Sequence, residues 1–387
     1  MPDFLDRDYV PQRWNTFVVY IIMTSACASC VLFANRALPT INSMGLFFIL
    51  AGVLISVIVL AAMPASHASN DFVWRDWSNQ TGWSSDGFVF LAGMLNGAYA
   101  VGTPDCVSHL AEEIPSPRTN IPKAIAMQMV VGLITAFIYL VALFYSVNDF
   151  DAVLSTGYTN PLAEIYLQAT GSRAGSLGLL IVIFFPTSEH SSSVFRLFNA
   201  NTPTYMTAGR TLWTLARDKA TPFSDHFGKI SPTFGNPFNA TVACCCINIV
   251  LGAIYVGSLT AFNAFVGSFV VLTTLSYLAF MLPHILSKRR HVIPGPFWMP
   301  DWVAYPVFGI ASAYIVTFVV IYCFPYALPV SAASMNYSCL ITGGLTIFVT
   351  VWWFWKSKRG YESPRAVVER SMSIVDVEVP RRSMSKA

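Results

Sequence analysis

The side chains best suited to ligand chemistry lie along one interrupted helix. The segment begins as an apolar helix over Phe88–Val101, breaks at Gly102-Thr103-Pro104 and resumes at Asp105. Proline cannot donate to the helical hydrogen-bond ladder, and glycine weakens the ladder from the other side of the break. Inside a membrane, backbone groups freed in this way must line a cavity or bind a ligand. A proline-kinked helix that holds no ligand is the alternative.

Asp105 has two possible roles at this break. As the first polar residue of the resumed helix, it could be the N-cap, since Asp accepts hydrogen bonds from the first free N–H groups of a helix. Alternatively, its carboxylate could contact a cationic amine or a proton. The sequence leaves both roles open.

The elements that must position these residues are membrane-spanning helices. Hydrophobic residues make up 55% of the 387 residues and charged residues only 11%, whereas soluble chains have roughly 25% charged residues. The net charge of +3 is spread over short loops and a tail, so it does not indicate nucleic-acid binding. Motifs such as a phosphate-binding glycine loop, HExxH or GxSxG are missing from the sequence, which argues against an enzyme and predicts neither a cofactor nor a metal site.

Hydropathy predicts an all-α polytopic membrane protein with one transmembrane domain over 14–355. We expect residues 1–13 to lie outside the cell and residues 356–387 to form a disordered cytoplasmic tail. A helix needs ~20 apolar residues to cross a bilayer. Nine spans are predicted, at 14–33, 44–63, 88–110, 124–146, 175–186, 238–257, 262–286, 303–325 and 338–355.

The distribution of Lys and Arg predicts the orientation of these spans, because basic residues concentrate in cytoplasmic loops. One set of alternate loops is rich in them, and it includes Lys288-Arg289-Arg290. The glycosylation sequons that begin at Asn79 and Asn336 then fall outside the cell. With nine spans and a cytoplasmic C-terminus, the N-terminus also lies outside the cell, although no signal peptide precedes the first span. We therefore expect the chain to be the remainder of a longer protein.

Several motifs together resemble one family of membrane proteins, over roughly residues 9–360. The chain is similar to the amino acid/polyamine/organocation permeases, and within them to the fungal branch of choline, GABA and amino acid permeases. The matching segments are Ala111–Arg118, Ile121–Ile125, Trp14–Phe17, Thr81–Trp83 with Asp86-Gly87, Thr207–Asp218, Asn236–Ala240, Gly257-Ser258 and Ala261–Asn263.

The resemblance implies a twelve-span fold in which helices 1–5 and 6–10 form an inverted repeat around a midplane site. The nine predicted spans then correspond to helices 4–12, and the first three helices are absent. Unwound segments of helices 1 and 6 form the site in this family, so the chain would supply the second half. The nearest candidates for substrate contact are Tyr99, Gly102, Thr103, Pro104 and Asp105.

The loop after the broken helix belongs to the inner gate in this family. Here it carries Glu112, Glu113, Arg118 and Lys123, which would form an ion-pair network on the cytoplasmic side. A solvated charged face is the simpler alternative.

The chain departs from the family at two places. Thr103-Pro104 stands where the family more often has an aromatic–acidic pair, so specificity stays open. The predicted span at 175–186 is short, and the polar segment 187–203 follows it. One interpretation is that this segment is foreign to the family, from a retained intron or a gene-model error. The other is that it forms a re-entrant loop. In the latter case Glu189 and His190 could relay protons.

The expected function is secondary active uptake of a small amino acid or an amine, such as choline or GABA, by alternating access. The resemblance further implies a multi-pass protein of the plasma membrane, coupled to a proton or sodium gradient. The alternative is a non-transporting truncated remnant, or a membrane scaffold or sensor built on the same helices.

Overall fold

The computed structural model describes most of the chain. It covers residues 12–34, 37–111, 114–156, 158, 160–184, 194–290, 292–332, 335–358 and 361. Side chains are described in the same ranges except at residues 41, 183–184 and 194–202. The first eleven residues and most of the predicted tail therefore lie outside the described part, and their expected roles stay predictions.

Every regular element in the described ranges is helical, which confirms the predicted all-α fold. The α-helices are numbered in chain order, and a 3-10 helix lies between α5 and α6. Their bounds are α1 Arg13–Phe33, α2 Leu38–Ala62, α3 Asn70–Trp74, α4 Asp86–Gly93, α5 Leu95–Ala100, the 3-10 helix Pro104–Leu110, α6 Pro117–Tyr145, α7 Phe150–Leu154, α8 Pro161–Thr170, α9 Arg173–Phe184, α10 Val194–Arg217, α11 Ser224–Phe227, α12 Phe238–Gly257, α13 Leu259–Leu286, α14 Asp301–Ile321 and α15 Ser338–Ser357.

Seven of the described helices are long and apolar enough to cross a bilayer. They are α1, α2, α6, α12, α13, α14 and α15, with 20 to 29 residues each, and a bilayer needs ~20. These helices coincide with seven of the nine predicted spans. The predicted span at 88–110 is instead divided among α4, α5 and the 3-10 helix, and the span at 175–186 falls in α9, which has only 12 residues.

The polar segment 187–203 lies partly outside the described residues. Glu189 and His190 are among the residues that are not described, so their proposed relay stays a prediction. The backbone is helical from Val194, and α10 continues through Pro203 to Arg217. The second part of this segment is therefore the first turns of a helix, whatever the origin of the sequence.

Polar side chains cap the N-termini of several helices. Ser85 accepts a hydrogen bond from the N–H of Phe88 at the start of α4, and Ser258 accepts one from Ala261 at the start of α13. These residues satisfy one of the four N–H groups that the first turn of a helix leaves free. The caps therefore fix where α4 and α13 begin, and these are the helices that lead into the broken segment and pack against it.

Helices α1, α10 and α12 form one packed group. Cys27, Val31 and Tyr205 are buried together between α1 and α10. In α12, a Cβ at Gly252 would lie 2.2 Å from Cε1 of Tyr20, so the two helices approach as closely as glycine permits. Tyr20 also donates a hydrogen bond to the carbonyl oxygen of Asn248, at 3.0 Å. Such close contact at small residues is how helices gain van der Waals packing in a membrane.

Helices α13 and α14 are joined by a buried arginine at one end. The Arg289 side chain is 5% exposed and donates to the Asp301 carboxylate at 2.5 Å and to the carbonyl oxygen of Met299 at 2.9 Å. Its guanidinium carbon also lies 3.9 Å from the centre of the Trp298 ring, within the range of a cation–π contact. These contacts fix the end of α13 relative to the start of α14, and α13 carries side chains of the candidate site.

The outer surface of the helix assembly is apolar. In α6 no residue is buried, and Leu133 is 72% exposed. Ile310 in α14 and Leu340 in α15 are 71% and 69% exposed. Leucine and isoleucine exposed over several long helices are typical of a surface that faces lipid, in agreement with the predicted bilayer environment.

Candidate functional site

The backbone is interrupted where the sequence predicts the break. The helix α5 ends at Ala100, and the N–H of Gly102 donates to the carbonyl oxygen of Tyr99 at 3.2 Å. Thr103 then leaves the helical region, with φ −142° and ψ 63°, and the 3-10 helix begins at Pro104. A further interruption at Met94, between α4 and α5, was not predicted.

Tyr99 and Gly102 hold the broken segment against α13. The Tyr99 hydroxyl donates to the carbonyl oxygen of Val266, and its ring centre lies 5.8 Å from that of Phe269. A Cβ at Gly102 would lie 2.9 Å from Cε1 of Phe269, so a larger residue would displace this ring. Gly102 therefore serves the close approach of α13 as well as the break itself.

Asp105 does not cap the resumed helix, so that interpretation of the sequence was wrong. The N-cap position belongs to Thr103, whose side chain makes no capping hydrogen bond. The Asp105 carboxylate instead accepts a hydrogen bond from the Tyr277 hydroxyl of α13, at 2.5 Å. The physical reason is that the helix begins at Pro104, one residue earlier than expected, which places Asp105 in the first turn with its side chain toward α13.

Asp105 also contacts a histidine on its own helix. The second carboxylate oxygen lies 3.3 Å from Nε2 of His109, and the two side chains are 33% and 36% exposed. Nδ1 of His109 lies 3.4 Å from Oγ1 of Thr211 in α10. A series of polar contacts therefore runs from Tyr277 through Asp105 and His109 to Thr211. It connects α13, the 3-10 helix and α10 at the break.

Sequence reasoning missed the two partners of Asp105. His109 could have been found, because residues four apart lie on one face of a helix. Tyr277 gave no local signal, since it lies 172 residues away in the chain. Only the tertiary fold, which places Tyr277 of α13 beside the 3-10 helix, brings this hydroxyl to the carboxylate.

Cavities lie on two sides of the broken segment. One of about 270 Å³ includes Ser108, His109, Arg210 and Thr211 among its lining residues. Another of about 230 Å³ lies beside α4 and α5, and is lined in part by Trp83, Asn96, Phe324 and Tyr326. A larger open cavity of about 600 Å³, between α13 and α15, contains none of the predicted site residues.

The predicted inner-gate residues are only partly described. Arg118 and Lys123 are exposed near the start of α6. Glu112 and Glu113 lie outside the described residues, so the ion-pair network between the four side chains stays a prediction. The alternative of a solvated charged face is equally open.

Both predicted glycosylation sites have their amide groups engaged in the fold. Nδ2 of Asn79 donates to the carbonyl oxygen of Trp83 at 2.8 Å and to Asp86 at 3.0 Å. Asn336 is only 1% exposed, and its Nδ2 donates to the carbonyl oxygen of Tyr322 at 2.6 Å. A glycan on Asn336 would require this residue to leave its buried position, whereas Asn79 is half-buried near the surface.

Comparison with known proteins identifies the family. The sequence model of the amino acid permease family matches residues 2–345. The choline transporter of Saccharomyces cerevisiae is 30% identical over 365 residues, which cover 92% of this chain and 61% of that protein. An uncharacterized amino-acid permease of Schizosaccharomyces pombe is 27% identical, over 87% of this chain and 60% of that protein. The swainsonine transporter of Arthroderma benhamiae is 28% identical, over 92% and 68%.

These relatives are longer than the chain, which spans between 60% and 68% of their length. The family match nevertheless extends over nearly the whole sequence and includes the broken helix and α13. It places the chain in a family of permeases and not of enzymes, in agreement with the resemblance carried by its motifs. This multi-pass membrane chain belongs to the amino acid permease family, within the amino acid/polyamine/organocation permeases.

Proposed function

We propose that this chain moves a small amine or amino acid across a membrane by alternating access, and that the break between Tyr99 and Asp105 contributes to the binding site. The observation that carries the proposal is the Asp105 carboxylate, which is one-third exposed at a helix break and is held there by Tyr277. Ionisable groups inside membrane helices are costly, so those that occur are usually functional. Discontinuous helices are where transporters of this general type bind their ligands.

The chemistry of the break favours a cationic group on the substrate. Asp105 supplies a negative charge, and the ring of Tyr99, in α5 just before the break, lies 5.8 Å from the ring of Phe269 in α13. Aromatic faces attract ammonium and quaternary ammonium groups. The 3-10 helix begins with Pro104, which has no N–H to offer to a carboxylate. The amine is therefore the group that this half of the site would recognise.

Choline is our first candidate, because a relative with 30% identity is named as a choline transporter and choline presents a quaternary ammonium group to Asp105 and Tyr99. GABA and other amino acids also carry an ammonium group and are the next candidates. We further propose that the protein resides in the plasma membrane and that transport draws on a proton or sodium gradient.

Uptake measurements test this proposal. The full chain is purified, reconstituted into liposomes and supplied with radiolabelled choline, GABA or other amino acids, with and without imposed proton and sodium gradients. We expect saturable uptake of at least one amine, and competition by unlabelled choline. Folded protein that shows saturable uptake of none of these compounds would contradict the proposal and favour a non-transporting remnant, scaffold or sensor.

A further inference from the structure

Asp105 has a potential cationic partner inside the protein. Nε2 of His109 lies 3.3 Å from the carboxylate, and both side chains are about one-third exposed. His109 also lines the cavity of about 270 Å³. Nδ1 of the same ring faces Oγ1 of Thr211 at 3.4 Å. Because the Thr211 hydroxyl also donates to the carbonyl oxygen of Thr207, its oxygen lone pairs are available to accept from Nδ1–H. Each ring nitrogen of His109 therefore faces an oxygen that can accept a hydrogen bond.

One carboxylate then faces two possible cations, the imidazolium of His109 and the ammonium group of the substrate. We propose that a proton on His109 competes with a cationic substrate for Asp105, so that protonation weakens substrate binding. This inference rests on the proposed function and adds the linkage between substrate and proton at the same site. When His109 is neutral, the carboxylate keeps the Tyr277 hydrogen bond and faces no imidazolium, so its charge is open to the substrate amine.

Among the described residues, no hydrogen bond or ion pair brings a second carboxylate to Asp105 or His109. The other titratable or charged groups nearby are the following. On the 3-10 helix itself the remaining titratable group is Cys106. Helix α13 contributes the Tyr277 hydroxyl, and α10 contributes Arg210, which is buried and lines the same cavity as His109. Helix α6 brings Arg118 and Lys123 at its start. Glu112 and Glu113, which follow in the chain, are not described.

Histidine side chains ordinarily change charge between about pH 5 and 8, whereas carboxylates ordinarily do so near about pH 4. By thermodynamic linkage, a substrate that binds less well to the protonated site must also release a proton when it binds. As the substrate ammonium approaches the carboxylate, the Nε2–H bond breaks and the proton passes to water as hydronium, while the N–H electron pair stays on Nε2.

The test is the affinity of the full chain for radiolabelled choline, measured by equilibrium binding in lipid nanodiscs at about pH 8 and about pH 5.5. We expect the wild-type protein to bind choline about tenfold more weakly at the lower pH, as for the loss of one charge-assisted contact. His109→Gln should bind with nearly the same affinity at both values. His226→Gln, which alters an exposed histidine of α11, should keep the wild-type pH dependence.

Other outcomes are equally decisive. Choline affinity that is unchanged or higher at the lower pH in the wild-type protein, or a pH dependence retained in His109→Gln, overturns the inference and leaves the proposed function standing. Absence of choline binding at both pH values overturns the choline assignment itself, and the inference with it.

If His109→Gln does not fold, His109→Lys places a permanent cation at the position and should bind choline weakly at both pH values. Tight binding by that variant would contradict the competition.

Discussion

Replacement of Asp105 by asparagine is expected to lower the uptake of cationic substrates about tenfold to 150-fold, because a charge-assisted contact contributes roughly 1.5 to 3 kcal/mol. Asparagine keeps the shape of the side chain and can still accept the Tyr277 hydrogen bond, so the fold should be preserved. What the variant lacks is the negative charge at the break. The measurement is the initial rate of choline uptake by reconstituted protein at low substrate concentration, normalised to the amount of folded protein.

Asp225→Asn is the matched control for this prediction. Asp225 is exposed in the first turn of α11, so its replacement removes the same charge from the protein outside the broken segment. We expect its uptake to equal that of the wild type. If Asp105→Asn transports choline within about twofold of the wild-type rate, the carboxylate does not contact the substrate, since a lost charge contact has a larger effect.

Replacement of Gly252 by leucine is expected to destabilise the folded protein by about 2 to 3 kcal/mol or more, the usual result of forcing volume into a packed contact. Even a Cβ at this position would lie 2.2 Å from the Tyr20 ring. That ring cannot swing away freely, because its hydroxyl is bonded to the carbonyl oxygen of Asn248. The side chain of leucine would therefore push α1 and α12 apart.

Thermal denaturation of the detergent-solubilised protein measures this effect, with Gly132→Leu as the control. Gly132 lies in α6, and nothing comes within 4 Å of a Cβ built there. A leucine at this position adds the same volume toward lipid, and the melting temperature should change little. Equal melting temperatures for the two variants would mean that α1 and α12 do not pack as closely as described.

The sequence predicted the helices of this protein well because long apolar runs have one stable solution in a bilayer. The seven spans found among the described residues coincide with predicted ones, and the break at Gly102-Thr103-Pro104 lies where its composition indicates. Glycine and proline act on the backbone locally, so their consequences can be read from neighbouring residues. The interruption at Met94 was not predicted, because a single glycine, Gly93, precedes it and no proline lies beside it.

The environment of Asp105 could not be predicted in the same way. Whether a carboxylate caps its own helix or bonds to a distant hydroxyl depends on where the helix begins and on what packs beside it. Here the helix begins at Pro104, and α13 brings Tyr277 to the carboxylate. The burial of Asn336 could not be predicted for the same reason. Its hydrogen-bond partner, the carbonyl oxygen of Tyr322, lies 14 residues earlier in the chain, just after α14.

Protection of Cys106 by substrate tests the central claim, that the broken segment binds the substrate, most directly. Cys106 is adjacent to Asp105, half-buried and free, whereas Cys246 in α12 is exposed and distant in the chain. A small thiol reagent is applied to the unmodified chain, and the rate of labelling at each cysteine is followed by mass spectrometry. We predict that choline slows the labelling of Cys106 several-fold, leaves Cys246 unaffected and has no such effect in Asp105→Asn. Labelling of Cys106 at the same rate with and without choline, GABA and other amino acids would contradict the account.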